Sequence, residues 1–259
     1  MSYVDAWFDR QQDRIHVVER VDGRREYREY PANYVFYYND PRGKFKSIYG
    51  DPVSRFSTRN GKEFQKELKM QGKDGLWESD INPIFRCLAD NYRGAEAPKL
   101  QTAFFDIEVD FDKIRGYSPT DDPFNAITAI SVYMDWTDQL VTLAVPPSGM
   151  TMETAQEHCA RFDNTYLFTS EAEMLKVFLD LLEDADIVSG WNSEGYDIPY
   201  TVNRITRVLS KDDNRRWCLF GQLPKKRTFE RFGKESVTFD LVGRVHMDYM
   251  QLYRKYTYE

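Results

Sequence analysis

The sequence predicts an α/β fold, in which a mixed β-sheet domain follows a smaller domain rich in strands. Residues 103–112 alternate apolar and acidic side chains, as a half-buried strand does. Residues 125–209 continue with further strand patterns and two helical patterns. Residues 1–98 instead carry short alternating runs separated by turn signals.

Residues 1–98 are predicted to form a strand-rich domain of α+β type. Alternating runs at residues 14–20 and 24–30 flank a Val-Asp-Gly turn, which is typical of a β-hairpin. A helix is predicted at residues 62–70, and residues 90–98 have the composition of a linker. The domain boundary is therefore placed between residues 98 and 99.

The second domain, residues 99–259, begins with the acidic strand. Two strands are predicted to follow, at residues 125–133 and 139–145. After them come a helix at residues 170–182, a short strand at residues 185–190 and a second helix at residues 197–209. The short turn between the first two of these strands favours an antiparallel meander. The order of elements matches a mixed sheet of the ribonuclease H-like kind, so the predicted class is α/β with that sheet.

Composition places the chain among globular proteins. Of its 259 residues, 41% are hydrophobic and 30% charged, which allows one large domain or two modest ones. No apolar run approaches the ~18 residues of a membrane span, so no membrane partner is expected. The three separated cysteines and the absence of a signal-peptide pattern favour a cytoplasmic location.

The net charge of −7 is unevenly distributed. Residues 1–100 hold 18 Lys and Arg against 16 Asp and Glu, whereas residues 101–259 hold 17 against 26. An acidic second half argues against a protein that coats nucleic acid with a basic surface. It allows an enzyme that meets nucleic acid through metal ions held by carboxylates.

Asp106 and Glu108 are the first candidate site residues. Strand alternation places them on one face, with Cα atoms roughly 6.5–7 Å apart. Two carboxylates at ~5 Å and an effective dielectric of ~20 repel by about 3 kcal/mol, a cost that a divalent cation removes. The alternative is an edge strand whose polar face contacts water, which the apolar flanking residues disfavour.

A second candidate, Asp197, lies where a predicted strand gives way to a helix. It stands directly before Ile-Pro at the helix start, and on its own it is explained as an ordinary N-cap. Asn192, earlier in the same segment, is likewise explained as a turn residue. Both alternatives stay open when this segment is considered alone.

The two segments together resemble known motifs. Phe105-Asp106-Ile107-Glu108-Val109, followed about 90 residues later by Asn-x-x-x-Tyr-Asp at residues 192–197, resembles the Exo I and Exo II motifs of family B DNA polymerases, especially those of T-even-type bacteriophages. Residues 248–253 extend the resemblance. It covers nearly the whole chain, with a looser match over residues 1–98.

The resemblance implies a 3′–5′ exonuclease that proofreads for a DNA-directed DNA polymerase with two divalent cations, Mg²⁺ or Mn²⁺. By motif position, Asp106 is implied to bridge both metals, Glu108 to hold the metal that activates water, and Asp197 to hold the second metal. Two ions ~3.5–4 Å apart suit in-line phosphodiester displacement. Oxygen-only ligands suit these ions.

The resemblance also implies contacts with DNA. Asn192 and Tyr196 are expected at the bound 3′-terminal nucleotide. Phe232, at the tip of a hairpin predicted over residues 225–240, is expected to stack on a base, with a plain solvated hairpin as the alternative. Phe124 is a further candidate contact, for which core packing is the alternative.

The implied partners are single-stranded DNA 3′ ends and primer–template DNA, with RNA at the first domain. The implied location is the cytoplasm of an infected bacterial host.

One motif of the family finds no match. The Exo III pattern Tyr-x-x-x-Asp, which supplies the fourth carboxylate, does not occur after Asp197, and the polymerase domains have no counterpart. The chain is therefore expected to be the N-terminal and exonuclease portion, which alone holds metal poorly and cleaves slowly. The alternatives are a non-catalytic nucleic-acid-binding module, or one half of a split polymerase that needs a second chain for the fourth ligand.

Overall fold

The computed structural model describes residues 2–72, 75–231 and 233–257. The chain divides into two compact units, Met1–Lys99 and Leu100–Glu259. Each unit has its own sheets and its own buried apolar core.

The described residues of the first unit form seven strands and two helices. They are β1 Tyr3–Asp9, β2 Arg14–Val21, β3 Arg24–Pro31, β4 Tyr34–Asn39, β5 Phe45–Lys46, β6 Pro52–Thr58, α1 Gly61–Gln71, β7 Leu76–Trp77 and α2 Pro83–Tyr92. Antiparallel pairing arranges the strands as two sheets, in the orders β1-β2-β3 and β5-β6-β4-β7. The predicted hairpin is confirmed as β2–β3, and the predicted helix is confirmed as α1.

Helix α1 lies on the second of these sheets through its apolar side. Phe64 is buried, and its ring packs on Tyr34 and Phe36 of β4. Asn60 is the N-cap of the helix, and its side chain accepts hydrogen bonds from the N–H groups of Lys62 and Glu63. Burial of one side leaves the polar side of the helix facing outward.

In the part of the second unit that the structure describes there are eight strands and four α-helices. They are β8 Thr102–Val109, β9 Ile127–Met134, β10 Gln139–Ala144, α3 Met152–Cys159, β11 Thr165–Leu167, α4 Glu171–Leu181, β12 Ile187–Gly190, α5 Asp197–Val208, β13 Lys225–Arg231, β14 Lys234–Asp240, β15 Val245–Asp248 and α6 Tyr249–Thr257. A 3₁₀ helix occupies Asp212–Trp217.

Six strands form one mixed sheet in the order β11-β10-β9-β8-β12-β15, and β13–β14 form a separate hairpin. Strands β8, β9 and β10 are the predicted antiparallel meander, which is confirmed. Strands β11, β12 and β15 pair parallel to their neighbours. The second unit is therefore a mixed α/β structure.

Strand β8 shows the predicted alternation. Ala103, Phe105 and Ile107 are buried, whereas Asp106 and Glu108 are exposed. The edge-strand alternative is wrong for β8 as a whole, because β8 lies between β9 and β12 in the sheet, although β12 pairs only with residues 102–104. The two carboxylates therefore lie on a central strand of the sheet.

The core of the second unit holds β8 against α4 and the 3₁₀ helix. The rings of Phe105, Phe178 and Trp217 have centroids 5.4–5.8 Å apart. Strand β12 comes so close to β8 that a Cβ atom at Gly190 would lie 2.6 Å from the carbonyl oxygen of Phe105. Only glycine allows this approach.

Candidate active site

Three carboxylates of the second unit lie near one another at the end of β8. Asp106 and Glu108 are on its exposed face, and Asp197 is the first residue of α5. The backbone N–H of Ile107, between the two strand carboxylates, donates a hydrogen bond to Oδ1 of Asp197 over 3.3 Å. The strand and the helix start, 90 residues apart in the chain, meet at this hydrogen bond.

Asp197 reaches β8 because β12 ends early. Strand β12 pairs with only the first three residues of β8, so the chain leaves the sheet before it would lie beside Ile107. The N-cap of α5 is Tyr196, whose side chain makes no capping bond. The capping alternative for Asp197 is therefore wrong, because Asp197 is the first residue inside the helix and its carboxylate accepts a hydrogen bond from β8.

The Asp197 carboxylate is 3% exposed, and its surroundings disfavour the charged form. Burial, and to a lesser extent the negative charges of Asp106 and Asp248, outweigh two backbone hydrogen bonds and together raise its pKa to about 7. Asp197 and Asp106 therefore repel each other across the end of β8. A bound cation would remove this repulsion.

Tyr196 lies beside the same carboxylates. Burial raises the pKa of its hydroxyl to about 12, with further contributions from Tyr200 and from the charges of Asp197 and Glu108. Its ring stacks on that of Tyr200 at 5.4 Å between centroids. The sequence-predicted residues Asp106, Glu108, Tyr196 and Asp197 are therefore brought together.

Asn192 begins the loop that leads to this site. Its φ of 60° is in the left-handed region that asparagine tolerates, so the turn interpretation is confirmed. Its carbonyl oxygen accepts hydrogen bonds from the N–H groups of Gly195 and Tyr196. Asn192 therefore shapes the loop before Asp197.

Asp248, at the end of β15, is a site residue that sequence reasoning missed. Its buried carboxylate accepts hydrogen bonds from the N–H groups of Asn192 at 3.1 Å, Glu194 at 3.2 Å and Met250 at 2.9 Å. It lies directly across from Gly190 in the β12–β15 ladder. The only signal in the sequence was its place in the segment that extends the family resemblance, which gave it no role.

Two further side-chain contacts hold the loop. Ser193 Oγ lies 2.8 Å from Nε2 of His246, a ring whose pKa is lowered mainly by burial. Arg227 of the β13–β14 hairpin donates to Glu194 at 2.6 Å and to Asp240 at 2.8 Å. The loop before Asp197 is thus fixed by β15 and by the hairpin.

The remaining two candidates do not join the group. Phe124 is half-buried in the connection between β8 and β9, where the guanidinium of Arg115 lies 3.5 Å above its ring. It is outside the buried core cluster, so the core alternative does not describe it either. Phe232 lies outside the described residues, although the hairpin predicted around it is present as β13–β14.

The donor types of the site fit a hard divalent cation, since all three side chains offer carboxylate oxygens. Within residues 2–72, 75–231 and 233–257, however, no group of three or more His, Cys, Asp or Glu side chains is arranged to hold a metal ion. Asp106, Glu108 and Asp197 therefore converge without forming a complete ligand set.

The acidic strand, the buried Asp197 and the mixed sheet agree with the comparison to protein families. A model described as "DNA polymerase family B, exonuclease domain" matches residues 62–259. The chain therefore belongs to the family B DNA polymerase exonuclease family. The match begins within α1 of the first unit and covers the whole second unit.

The relatives are polymerases of viruses. The chain is 26% identical over 274 residues to the DNA-directed DNA polymerase of Enterobacteria phage T4, covering 94% of this chain and 30% of that protein. It is 25% identical over 240 residues to that of Escherichia phage RB69, covering 83% and 26%. The DNA polymerase catalytic subunit of Saimiriine herpesvirus 2 (strain 11) is 36% identical over 56 residues, 20% of this chain and 6% of that one.

The chain thus spans less than a third of the two phage relatives. In the part of the chain that the structure describes, no helix has both the length and the apolar character needed to cross a membrane.

Proposed function

We propose that the second unit is a 3′–5′ exonuclease that hydrolyses the terminal phosphodiester of a single-stranded DNA end. The observation that carries this proposal is the hydrogen bond from Ile107 N–H to Asp197 at 3.3 Å. It brings a third carboxylate to the strand that bears Asp106 and Glu108. Membership of the family B exonuclease family supports the same reaction.

In this proposal Asp106, Glu108 and Asp197 are the catalytic carboxylates and hold two divalent cations, Mg²⁺ or Mn²⁺. Asp106 would be shared by both ions, Glu108 would hold the ion that activates water, and Asp197 would hold the second ion. When bound, the ions would supply a nucleophile near neutral pH and stabilise the leaving oxygen. The chain itself contributes the negative charge that attracts the ions.

Four side chains are proposed to contact the DNA. Tyr196 has the strongest support because it lies beside Glu108 and Asp197. Asn192 precedes it in the same loop. Phe124 and Phe232 are proposed as side chains on which bases stack.

The wider context is proofreading during DNA replication by a polymerase of the T-even phage type. We assign residues 1–98 to an N-terminal domain and residues 99–259 to an exonuclease domain with a ribonuclease H-like sheet. The ligands would be single-stranded 3′ ends and primer–template DNA, with RNA at the N-terminal domain. The protein would act in the cytoplasm of the infected bacterium.

A second candidate function follows from the incomplete ligand set. The chain would then bind nucleic acid without cleaving it, or would cleave only when a second polymerase chain supplies a fourth carboxylate. This candidate predicts DNA binding with no hydrolysis at any concentration of metal.

The test is release of mononucleotides from a single-stranded 3′ end in Mn²⁺. We expect slow, metal-dependent release that falls on the order of 10²-fold or more in Asp106→Ala. The exposed Asp163→Ala on the same unit is the matched control and should keep the parent rate. Equal rates in the parent and Asp106→Ala would exclude this site, and binding without release in the parent would favour the second candidate.

A further inference from the structure

The β13–β14 hairpin is attached to the second unit at its base. Thr238 of β14 is buried, and Phe239 packs against the core of the unit. Arg227 of β13 lies opposite Thr238, at the third pair from the open end of the ladder. The backbone of Arg227 is therefore held at the anchored end of the hairpin, and its side chain extends from a fixed support.

Arg227 joins two carboxylates that belong to different segments. Its Nε donates to Oδ1 of Asp240 at 2.8 Å, on the neighbouring strand of the hairpin, and its Nη2 donates to Oε1 of Glu194 at 2.6 Å. Glu194 lies in the loop between β12 and α5. Because the guanidinium is planar and its donors form a fixed fork, the bond to Asp240 aims a second donor at this loop.

The charges around this bond show what Arg227 contributes. Glu194, Asp240 and Asp248 line one cavity of about 380 Å³, so three negative charges lie close together. Two arginines line the same cavity, and Arg244 directs its guanidinium at four backbone carbonyl oxygens. Arg227 instead bonds to two of the three carboxylates. It therefore offsets the repulsion that would move the Glu194 side chain away from its neighbours.

The loop that contains Glu194 is bonded to the start of α5. The carbonyl oxygen of Ser193, next to Glu194, accepts a hydrogen bond from the N–H of Ile198 in the first turn of α5 over 3.0 Å. Asp197 lies between these two bonded residues, and its carboxylate accepts the hydrogen bond from Ile107. A continuous series of contacts therefore connects the base of the hairpin with the Asp197 carboxylate.

We propose that Arg227 is a positioning residue: through its bond to Glu194 it holds the loop so that Asp197 follows the position of the hairpin base. Loss of this bond would move the Asp197 carboxylate relative to the N–H of Ile107. The consequence for metal binding rests on the proposed function, whereas the link itself does not. The alternative is a surface ion pair with no effect on Asp197, since the Arg227 side chain is 42% exposed.

The test is amide hydrogen exchange at Ile107, measured by NMR in EDTA, because this N–H donates to Asp197 and needs neither metal nor DNA. Arg227→Ala is compared with Lys226→Ala, which removes the same charge from the adjacent exposed position, on the other face of β13. We expect exchange at Ile107 to quicken about twofold to fivefold in Arg227→Ala, as loss of an exposed ion pair allows. Lys226→Ala should keep the parent rate, and equal rates in the two variants would overturn the proposal.

Two controls separate positioning from a general loss of stability. The amide of Val132, buried in β9, should exchange at the parent rate in Arg227→Ala, and an equal rise there would overturn the proposal. Arg227→Glu alone should quicken exchange at Ile107 further, and combining it with Glu194→Arg should restore a rate near that of the parent. A combined variant as fast as Arg227→Glu would show that Arg227 does not act through Glu194.

Binding of Mn²⁺, measured by electron paramagnetic resonance without DNA, tests the consequence for the site. We expect the Kd for Mn²⁺ to rise about twofold to fivefold in Arg227→Ala and to stay unchanged in Lys226→Ala. An unchanged Kd in Arg227→Ala, beside faster exchange at Ile107, would overturn a role in metal binding. A parent chain that binds no Mn²⁺ would overturn the proposed nuclease instead, and exchange at Ile107 would then decide the link by itself.

Discussion

The carboxylate site of the second unit and the lysine ridge of the first, which we define as the exposed Lys62, Lys66 and Lys69 on one side of α1, both gather like charges, but in opposite surroundings. Asp197 is 3% exposed and beside Asp106, so burial and repulsion together disfavour its charged form. The lysines are exposed, and water screens their repulsion. The same pattern of like charges therefore has a high cost in one unit and a low cost in the other.

This difference decides how much each cluster says about a ligand. A buried carboxylate beside a second carboxylate requires a compensating cation or a proton, so its charge state depends on what binds there. An exposed row of lysines requires no such compensation. Three changes test the contrast, from the largest expected effect to the smallest.

The largest effect is expected from Asp197→Asn in the absence of metal. Because the folded pKa of Asp197 is about 7 and an unfolded aspartate has a pKa near 3.9, the unfolded state loses its proton first as the pH rises. The contribution of Asp197 to the free energy of unfolding is therefore fully present below about pH 4, decreases between about pH 4 and pH 7, and is lost above about pH 7. At pH 8 the variant should be more stable than the parent, by up to about 4 kcal/mol.

Chemical denaturation in EDTA at pH 8 and at pH 4 measures this effect, with Asp163→Asn as the control for the change in charge. At pH 4 the advantage of Asp197→Asn should disappear. If the difference in unfolding free energy between the parent and Asp197→Asn were the same at pH 8 and at pH 4, Asp197 would carry no burial penalty. The contrast between the two units would then fail.

A smaller effect of opposite sign is expected at Asp248. Its carboxylate is buried like that of Asp197, but it accepts hydrogen bonds from three backbone N–H groups. Asp248→Ala leaves those donors unpaired and should reduce the free energy of unfolding by about 3 kcal/mol. Hydrogen exchange should quicken at Asn192 and Glu194.

Asp248→Asn provides the comparison, since it keeps one acceptor oxygen and should lose less than Asp248→Ala. If both variants were as stable as the parent, the loop before Asp197 would be held by its other contacts and Asp248 would have no positioning role.

The smallest effect is expected from the lysine ridge. Replacing Lys62, Lys66 and Lys69 by Gln removes like-charge neighbours on a helix surface, each worth about 0.2–0.5 kcal/mol. The triple variant should match the parent or exceed its unfolding free energy by less than about 1 kcal/mol in thermal or chemical melts. A clear loss would show that the lysines support the fold, contrary to the contrast drawn above.

Local pattern was enough to predict β8 and its exposed carboxylates, because alternation is a property of consecutive residues. The meander and the β2–β3 hairpin were predictable for the same reason. Strand β9, predicted from residue 125, begins at Ile127 because Asn125 bonds instead to Ser118 and to the carbonyl of Gly116.

Other elements left no such pattern. Helix α3 has eight residues and only Ala155 buried, so it shows no apolar stripe. The meeting of Asp197 with β8 depends on where β12 stops, which no local pattern records; only the resemblance pointed to it. Asp248 stands between a short strand and a helix, where an aspartate has many ordinary explanations. The spacing of Lys62, Lys66 and Lys69 was visible within the predicted helix at residues 62–70, but the cavity that these lysines line was not.

The close approach of Gly190 to Phe105 has a consequence for how the second unit tolerates change. Gly190 is the last residue of β12, and the loop that ends in Asp197 starts directly after it. A single methyl group at this position would force the two central strands apart. The Asp197 carboxylate would then move relative to β8, although none of the carboxylate residues had been substituted. The absence of a side chain at Gly190 thus fixes the point at which the loop to Asp197 leaves the sheet.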